Sequence, residues 1–285
     1  MENGTNAAAN ADQITYWNAR AGDTWVALQK RLDVQIGPLG EKALERLAPK
    51  AGESVLDVGC GCGHTTVELA RRVAPSGKVI AIDISKPMLE VARQQAGLAH
   101  AKNIEFIEAD AQTYPFDANS FDAVFSRFGV MFFVDPVAAF KNLFAALKPG
   151  SGRLGFVCWR KLAENEWMAA PMAAAMPLLP PQLRPDPIAP GPFAFADAER
   201  VKGILTEAGF GDISIVPHDQ KVELGGLQDA VEHCARVGAL SRLLNENPSA
   251  VDPVMETLRD TLQEFETDGA VKMGAGVWLV SARAR

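Results

Sequence analysis

Residues 55–66, VLDVGCGCGHTT, hold the densest chemistry in the chain. An apolar run carries Asp57 and ends in Gly59, Gly61 and Gly63, which alternate with Cys60 and Cys62 before a helical pattern begins. Glycines at that spacing let a backbone approach a ligand more closely than any side chain allows. A dinucleotide would take the pattern G-x-G-x-x-G, whose third glycine packs helix against strand. Counted from Gly59, that position is His64. A carboxylate just ahead of the loop also opposes a phosphate at a helix N-terminus.

A metal would need Cys60 and Cys62 to find two further ligands at zinc-like spacing. Cys158 and Cys234 stand alone, and His64, His100, His218 and His233 are scattered, so no metal site is expected. A sulfonium cofactor is the third ligand weighed. It carries a cation, an amino-acid end and an adenosine, and asks for close backbone approach and two carboxylates. Asp57 precedes the loop, and Asp83 ends the next apolar run 26 residues later, suited to two vicinal hydroxyls. Asp110 ends the third run, where Asp-Ala would meet an adenine amino edge.

The elements that position these groups alternate from residue 55 to about 160. VLDVG, KVIAIDI, IEFIEAD, FDAVFS and RLGFVCW read as buried strands, with helical segments around 65–74, 86–96 and 135–147. Such alternation predicts an α/β fold with a mostly parallel sheet covered on both faces by helices. Thr65 and Glu68 have the spacing of a capping box, and Asp135 before Pro136 reads as an N-cap. Upstream, residues 1–12 read as a disordered tail and 13–48 as a helical lid, with Trp17, Trp25, Leu28, Leu32 and Ile36 at helical spacing. Seven of the 18 prolines lie between 177 and 192, and with Met168, Met172, Met176, Leu178, Leu179 and Leu183 they predict an ordered cap. A helix over 197–208, a strand at ISIVP, helices over 227–265 and a last strand GVWLVSAR follow.

Composition narrows the class. At 285 residues, with 48% hydrophobic and 22% charged residues, the chain suits one large domain with insertions. Four cysteines do not make a secreted disulfide framework, and no signal peptide or membrane span is legible, so the cytoplasm is expected. A net charge of −7 disfavours nucleic acid as partner.

VLDVGCGCG, VIAIDIS, FIEADAQTYPFDANSFDAVFS and LKPGSGRL, in that order, resemble the motifs of class I S-adenosylmethionine-dependent methyltransferases. The branch they are most similar to is the ubiquinone/menaquinone C-methyltransferase-like group of small-molecule enzymes. The resemblance is close over about 45–160 and looser to 283. It implies a Rossmann-like seven-stranded sheet with the last strand antiparallel, a domain over 49–285, and cap insertions at about 160–195 and 225–268. It further implies that Gly59 and Gly61 approach the methionine part of S-adenosylmethionine with Asp57 near its amino group. Asp83 would hold the ribose, Ile84 and Met88 flank the adenine, Asp110 and Ala111 meet its edge, and Ser126 line the methionine end. Tyr16 and Trp25 would close over the cofactor from the lid.

The implied activity is O- or C-methylation of a small, partly apolar acceptor of the phenol or quinol kind. A non-catalytic cofactor-binding module and thiol-dependent methylation of a metalloid such as arsenite are the alternatives, and a homodimer stays open. Arg127, Trp159 and Arg160 follow sheet strands at their carboxyl ends, where open sheets bind ligands, so they are substrate candidates together with Met168 and Met172. A general base is required only if the acceptor must lose a proton, and His233 and His218 are its candidates. Asp122 reads as structural.

Overall fold

The structure is a computed structural model that describes residues 10–181 and 186–285. Residues 1–9 of the expected tail and Leu183 of the expected cap lie outside the described residues. Residues 10–12 depart from the expected tail. Asn10 is buried, and helix α1 (Ala11–Trp17) begins directly after it.

Helix α2 (Arg20–Leu47) carries an apolar stripe through Leu28, Leu32, Ile36, Leu39, Ala43 and Leu47, which turns it toward the sheet. Then come β1 (Ser54–Val58), α3 (His64–Val73), β2 (Lys78–Asp83), α4 (Lys86–Leu98), β3 (Ile104–Glu108), β4 (Ala123–Arg127), α5 (Pro136–Ala146) and β5 (Arg153–Trp159). The cap follows as α6 (Glu166–Ala175) and a short turn of helix. Next are α7 (Ala198–Glu207), β6 (Phe210–Glu223), α8 (Leu227–Arg236), α9 (Ala239–Glu246), α10 (Val251–Gln263), β7 (Glu266–Thr267) and β8 (Ala270–Ala284).

The main sheet runs β3-β2-β1-β4-β5-β8-β6. Strands β1 to β5 are parallel, and β8 enters antiparallel between β5 and β6. The seven expected strands are therefore present in this path, and the two-residue β7 adds an eighth by pairing with β8. Strands β1, β2, β4 and β5 are buried almost throughout, which is why they read as unbroken apolar runs. Phe125, Phe140, Phe156 and Phe195 fill the centre of the core.

Helix starts follow their local chemistry. The Asp135 carboxylate accepts from the Ala138 amide at 2.9 Å with Pro136 in the first turn, as expected. The Thr65 capping box does not form. Helix α3 starts earlier, behind Gly63 at φ 84°, because the Thr65 and Thr66 hydroxyls turn back to Asp57. Strand β6 is longer than ISIVP. Pro217 sits within it on the sheet's outer edge, where a missing N–H costs no ladder bond. Asp122 accepts from the Ser54 amide and from Lys148, in the structural role expected.

Candidate functional site

Strands β1 to β4 end along one edge, and the loops that leave them build the site. After β1, Gly59, Gly61 and Gly63 all take the left-handed conformation, at φ 67°, 56° and 84°. A Cβ on Gly59 would lie 2.7 Å from the Cα of Gly129, so the loops after β1 and β4 meet backbone to backbone. The Gly59 and Cys60 amides donate to the Ile82 carbonyl, and the Gly61 amide donates to Asp83 Oδ2 at 2.8 Å. Ser126 pins the same junction: its Oγ donates to the Val58 carbonyl at 2.7 Å and accepts from the Gly129 amide at 3.2 Å.

Three carboxylates stand at successive strand ends. Asp57 is fully buried, its Oδ2 accepts from Thr66 at 2.6 Å, and its Oδ1 has no partner. Desolvation pushes its pKa up to about 6, against the pull of Thr66 and Arg127. Asp83 accepts from the Gly61 and Ser85 amides, and burial raises its pKa too. Asp110 accepts from the Gln112 amide at 2.9 Å and from Asn10 Nδ2 at 2.5 Å. Met88 is buried beneath Gly61, and Ala111 is buried beside Asp110. The structure thus brings Asp57, Gly59, Gly61, Asp83, Ile84, Met88, Asp110, Ala111 and Ser126 to one edge of the sheet.

The N-terminal helices cover this edge through Trp17 and Trp25, which stand at helical spacing, and through Asn18 and Gly22, which the periodicity did not flag. Asn18 donates from Nδ2 to the Ile84 carbonyl at 2.7 Å and accepts the Lys86 amide at 2.9 Å. The Trp17 carbonyl accepts from Ser85 Oγ at 2.8 Å, and the Trp17 ring meets Phe132 edge-on at 5.1 Å. Gly22 permits this docking, since a Cβ there would stand 2.2 Å from the Trp17 carbonyl oxygen. Trp25 packs edge-on against Trp17, while Tyr16 stays half exposed with its ring against Trp17. Trp17, rather than Tyr16, is the lid's aromatic contact with the loop after β4. The only signals for Asn10 and Asn18 were their side-chain types beside a helix start.

Next to Ser126, Arg127 is nearly buried and donates from Nη2 to Asp33 Oδ1 on α2 at 3.1 Å. Asp33 Oδ2 also stands 3.7 Å from His64 Nδ1. Phe128 takes φ 63°, a strained conformation for a bulky residue, and stacks on Trp159 at 4.2 Å. Trp159 meets Trp167 at 5.4 Å, and Trp167 meets His233 at 6.2 Å. Met168 and Met172 are half-buried on α6 and packed against the core.

Two expectations fail here. Arg160 is engaged by other groups of the protein. Its guanidinium binds Asp219 and Glu164 and lies over the Trp278 ring at 5.2 Å, so β6 and β8 hold it. His218 is not at the site either. It lies on the outer strand β6, opposite Val277, with Nε2 3.2 Å from Gln220 Oε1 of its own strand. His233 is 1% exposed, and desolvation, helped by the Arg31 charge, brings its pKa down to about 4. All four cysteines are buried free thiols, and burial raises their pKa values. Among the described residues no group of three or more His, Cys, Asp or Glu is arranged to hold a metal ion.

Residues 55–150 match the family described as a methyltransferase domain. The chain is 40% identical over 109 residues to the demethylmenaquinone methyltransferase of Lactococcus lactis subsp. lactis (strain IL1403), covering 38% of this chain and 43% of that protein. The match therefore spans less than half of that relative's length. The demethylmenaquinone methyltransferase of Staphylococcus epidermidis (strain ATCC 35984) is 31% identical over 175 residues, which cover 58% of this chain and 70% of that one. In fold, the chain resembles the YcgJ protein from Bacillus subtilis, with a TM-score of 0.57 at 16% identity over 86% of this chain and 97% of the other.

Proposed function

Because the chain belongs to the class I S-adenosylmethionine-dependent methyltransferase family, we propose that it methylates a small, partly apolar acceptor of the phenol or quinol kind. The observation that carries this reading is the unpartnered, fully buried Asp57 oxygen at a three-glycine loop, with Asp83 and Asp110 at the ends of the next two strands. An orphaned carboxylate oxygen in a buried site is costly unless a cationic ligand meets it. That oxygen and the side-chain-free cradle fit an amino-acid ammonium group. Bound S-adenosylmethionine supplies an electrophilic methyl group on a sulfonium.

In this reading the protein binds, orients and excludes water. Gly59 and Gly61 leave room for the methionine part, and Ser126 keeps the loops after β1 and β4 together. Asp83 takes the ribose hydroxyls, Ile84 and Met88 flank the adenine, and Asp110 with Ala111 meets its edge. Trp17 and Trp25 close the cleft from the lid. Alignment and desolvation account for most of the acceleration in an in-line displacement on a charged centre. Helix α6 and α8–α10 cover the acceptor. Two relatives named for demethylmenaquinone support a ring-bearing acceptor. The net charge of −7 supports a small molecule over nucleic acid, and four buried free thiols support a cytosolic setting. A homodimer stays open.

The test pairs calorimetric titration of S-adenosylmethionine with S-adenosylhomocysteine production over quinols, phenols, amines, thiols and arsenite. Binding with turnover on one aromatic class is expected. Absence of binding overturns the reading, and binding without turnover on any class turns it into that of a binding module.

A further inference from the structure

Five of the buried polar atoms without partners among the described residues belong to side chains carried by α2, β4, α6 and α8. They are Gln35 Nε2 and Oε1, Arg127 Nη1, Trp167 Nε1 and His233 Nε2. Gln35 and His233 are each 1% exposed. A native interior satisfies nearly all such atoms, and each one left bare costs about 1–3 kcal/mol.

Their carriers are joined in a closed circuit. Arg127 ends β4 and binds Asp33 of α2. The next residue, Phe128, stacks on Trp159 at the end of β5. Trp159 touches Trp167 of α6, and Trp167 touches His233 of α8. Helix α8 returns to α2 through Asp229 and Glu232, which pair with Arg31. Gln35 lies one helical turn from Arg31, on the same face of α2. The circuit adjoins the cofactor loop, because Gly129, which abuts Gly59, follows Phe128.

Resting on the methyl-transfer reading, we propose that this circuit is the acceptor site. Its ligand is a planar aromatic with oxygens on its rim, such as a hydroxyquinone, held with one hydroxyl against His233 Nε2. Phe128, Trp159 and Trp167 supply flat apolar surface for a ring. Arg127 Nη1, Trp167 Nε1 and Gln35 Nε2 only donate, while Gln35 Oε1 and a neutral imidazole nitrogen accept. Donors exceed acceptors, so the rim that satisfies them is rich in carbonyl or phenolate oxygens and poor in amines. Burial and the Arg31 charge keep His233 neutral, which leaves Nε2 free to accept the hydroxyl's hydrogen bond while making it a weak base. For an O-methyl acceptor, the hydroxyl oxygen bonds to the methyl carbon as the carbon–sulfur bond breaks with its pair left on sulfur. Taking the methyl makes the hydroxyl strongly acidic, and only then does its proton pass to the weakly basic His233 Nε2. The strained Phe128 backbone fits a residue held for a ligand.

The test uses the full chain loaded with S-adenosylhomocysteine, which cannot turn over. The probe is 2-hydroxy-1,4-naphthoquinone, with 1-naphthylamine as control, both read by calorimetry. The hydroxyquinone is expected to bind at least about tenfold more tightly than the amine. Gln35→Leu and Trp167→Phe are each expected to weaken it about fivefold or more, with S-adenosylhomocysteine affinity unchanged. The unliganded thermal midpoint of Gln35→Leu is expected to hold or rise, since replacing an unpaired buried polar group with an apolar one of similar size removes a cost. In protein labelled with 15N-imidazole, the probe is expected to move the Nε2 resonance that disappears in His233→Asn. Equal binding of both probes, or variants that bind like the wild type, overturns the acceptor site alone. A falling midpoint in Gln35→Leu assigns its amide to packing and overturns it too. Failure of S-adenosylhomocysteine to bind overturns the methyl-transfer reading, and the acceptor site with it.

Discussion

Asn10 and Asp110, a hundred residues apart in sequence, share a hydrogen bond in which the Asn10 amide donates to the Asp110 carboxylate at 2.5 Å. The same Asn10 side chain accepts the Val134 amide at 3.2 Å. One donor beside one acceptor is also what an adenine edge presents. If adenine takes Asp110 Oδ2 as proposed, it competes with Asn10 for that oxygen. Asn10→Ala is expected to bind S-adenosylmethionine about two- to tenfold more tightly, the worth of one net hydrogen bond. Unchanged or weaker binding in calorimetry would show that the two do not compete.

Asp83 carries the ribose in the proposal while holding the Gly61 and Ser85 amides. Asp83→Ala is expected to weaken S-adenosylmethionine about tenfold or more, because hydrogen bonds to a charged group are worth about 1.5–3 kcal/mol. Wild-type affinity in the same titration would remove Asp83 from the cofactor site.

Asp57 should make cofactor binding depend on pH. Its carboxyl is pushed up from 3.8 to about 6, so the folded protein resists ionising it. For the free protein, this group's contribution is fully present below about 4 and is lost as pH rises through about 6. For the complex the sign reverses, since an ammonium group needs the carboxylate. Affinity is therefore expected to fall as pH drops below about 6, approaching tenfold per unit, and Asp57→Asn is expected to flatten that profile. A wild-type profile that is flat between pH 5 and 7 would rule Asp57 out as the partner.

Gly59 has no room for a side chain: a Cβ would stand 2.7 Å from Gly129 Cα at φ 67°. Gly59→Ala is expected to cost about 1–3 kcal/mol. Its thermal midpoint should drop by about 3–10 °C, with cofactor binding lost. A variant that melts and binds like the wild type would mean that the two loops do not meet as described.

Thiol chemistry has little to work with here. Burial raises the Cys158 and Cys234 pKa values, which suppresses the thiolate that a soft metalloid requires. The Cys158→Ala/Cys234→Ala double variant is expected to keep its turnover on an aromatic acceptor. Turnover restricted to arsenite, and abolished in that variant, would restore the metalloid reading.

The sheet and the cofactor edge were legible because each acid sits where an apolar run stops, so residue type and strand period point to the same place. The lid was legible as helices but not in its contacts. Asn10 and Asn18 each act through isolated tertiary hydrogen bonds, which leave no period in a sequence. Arg160 was misread because a strand end fixes where the Cα goes, not which way a long side chain turns, and Asp219 and Glu164 won it. His218 was misplaced because Pro217 hid the length of β6. Gln35 drew no notice because a polar residue on an apolar helix stripe looks like a surface position until its burial is known.

The α8–α10 cap leaves the sheet and returns to it at neighbouring points. The Leu224 amide donates to the Val271 carbonyl at 2.9 Å, and the Val271 amide to the Gly225 carbonyl at 2.8 Å. Residues 226–270 are thus a loop between two rungs of one ladder, joined to the sheet at neighbouring points though packed against the same core. That makes the segment an exchangeable cassette. A lineage, or an engineer, can replace it to accept a differently shaped molecule while inheriting the methyl-donor half intact.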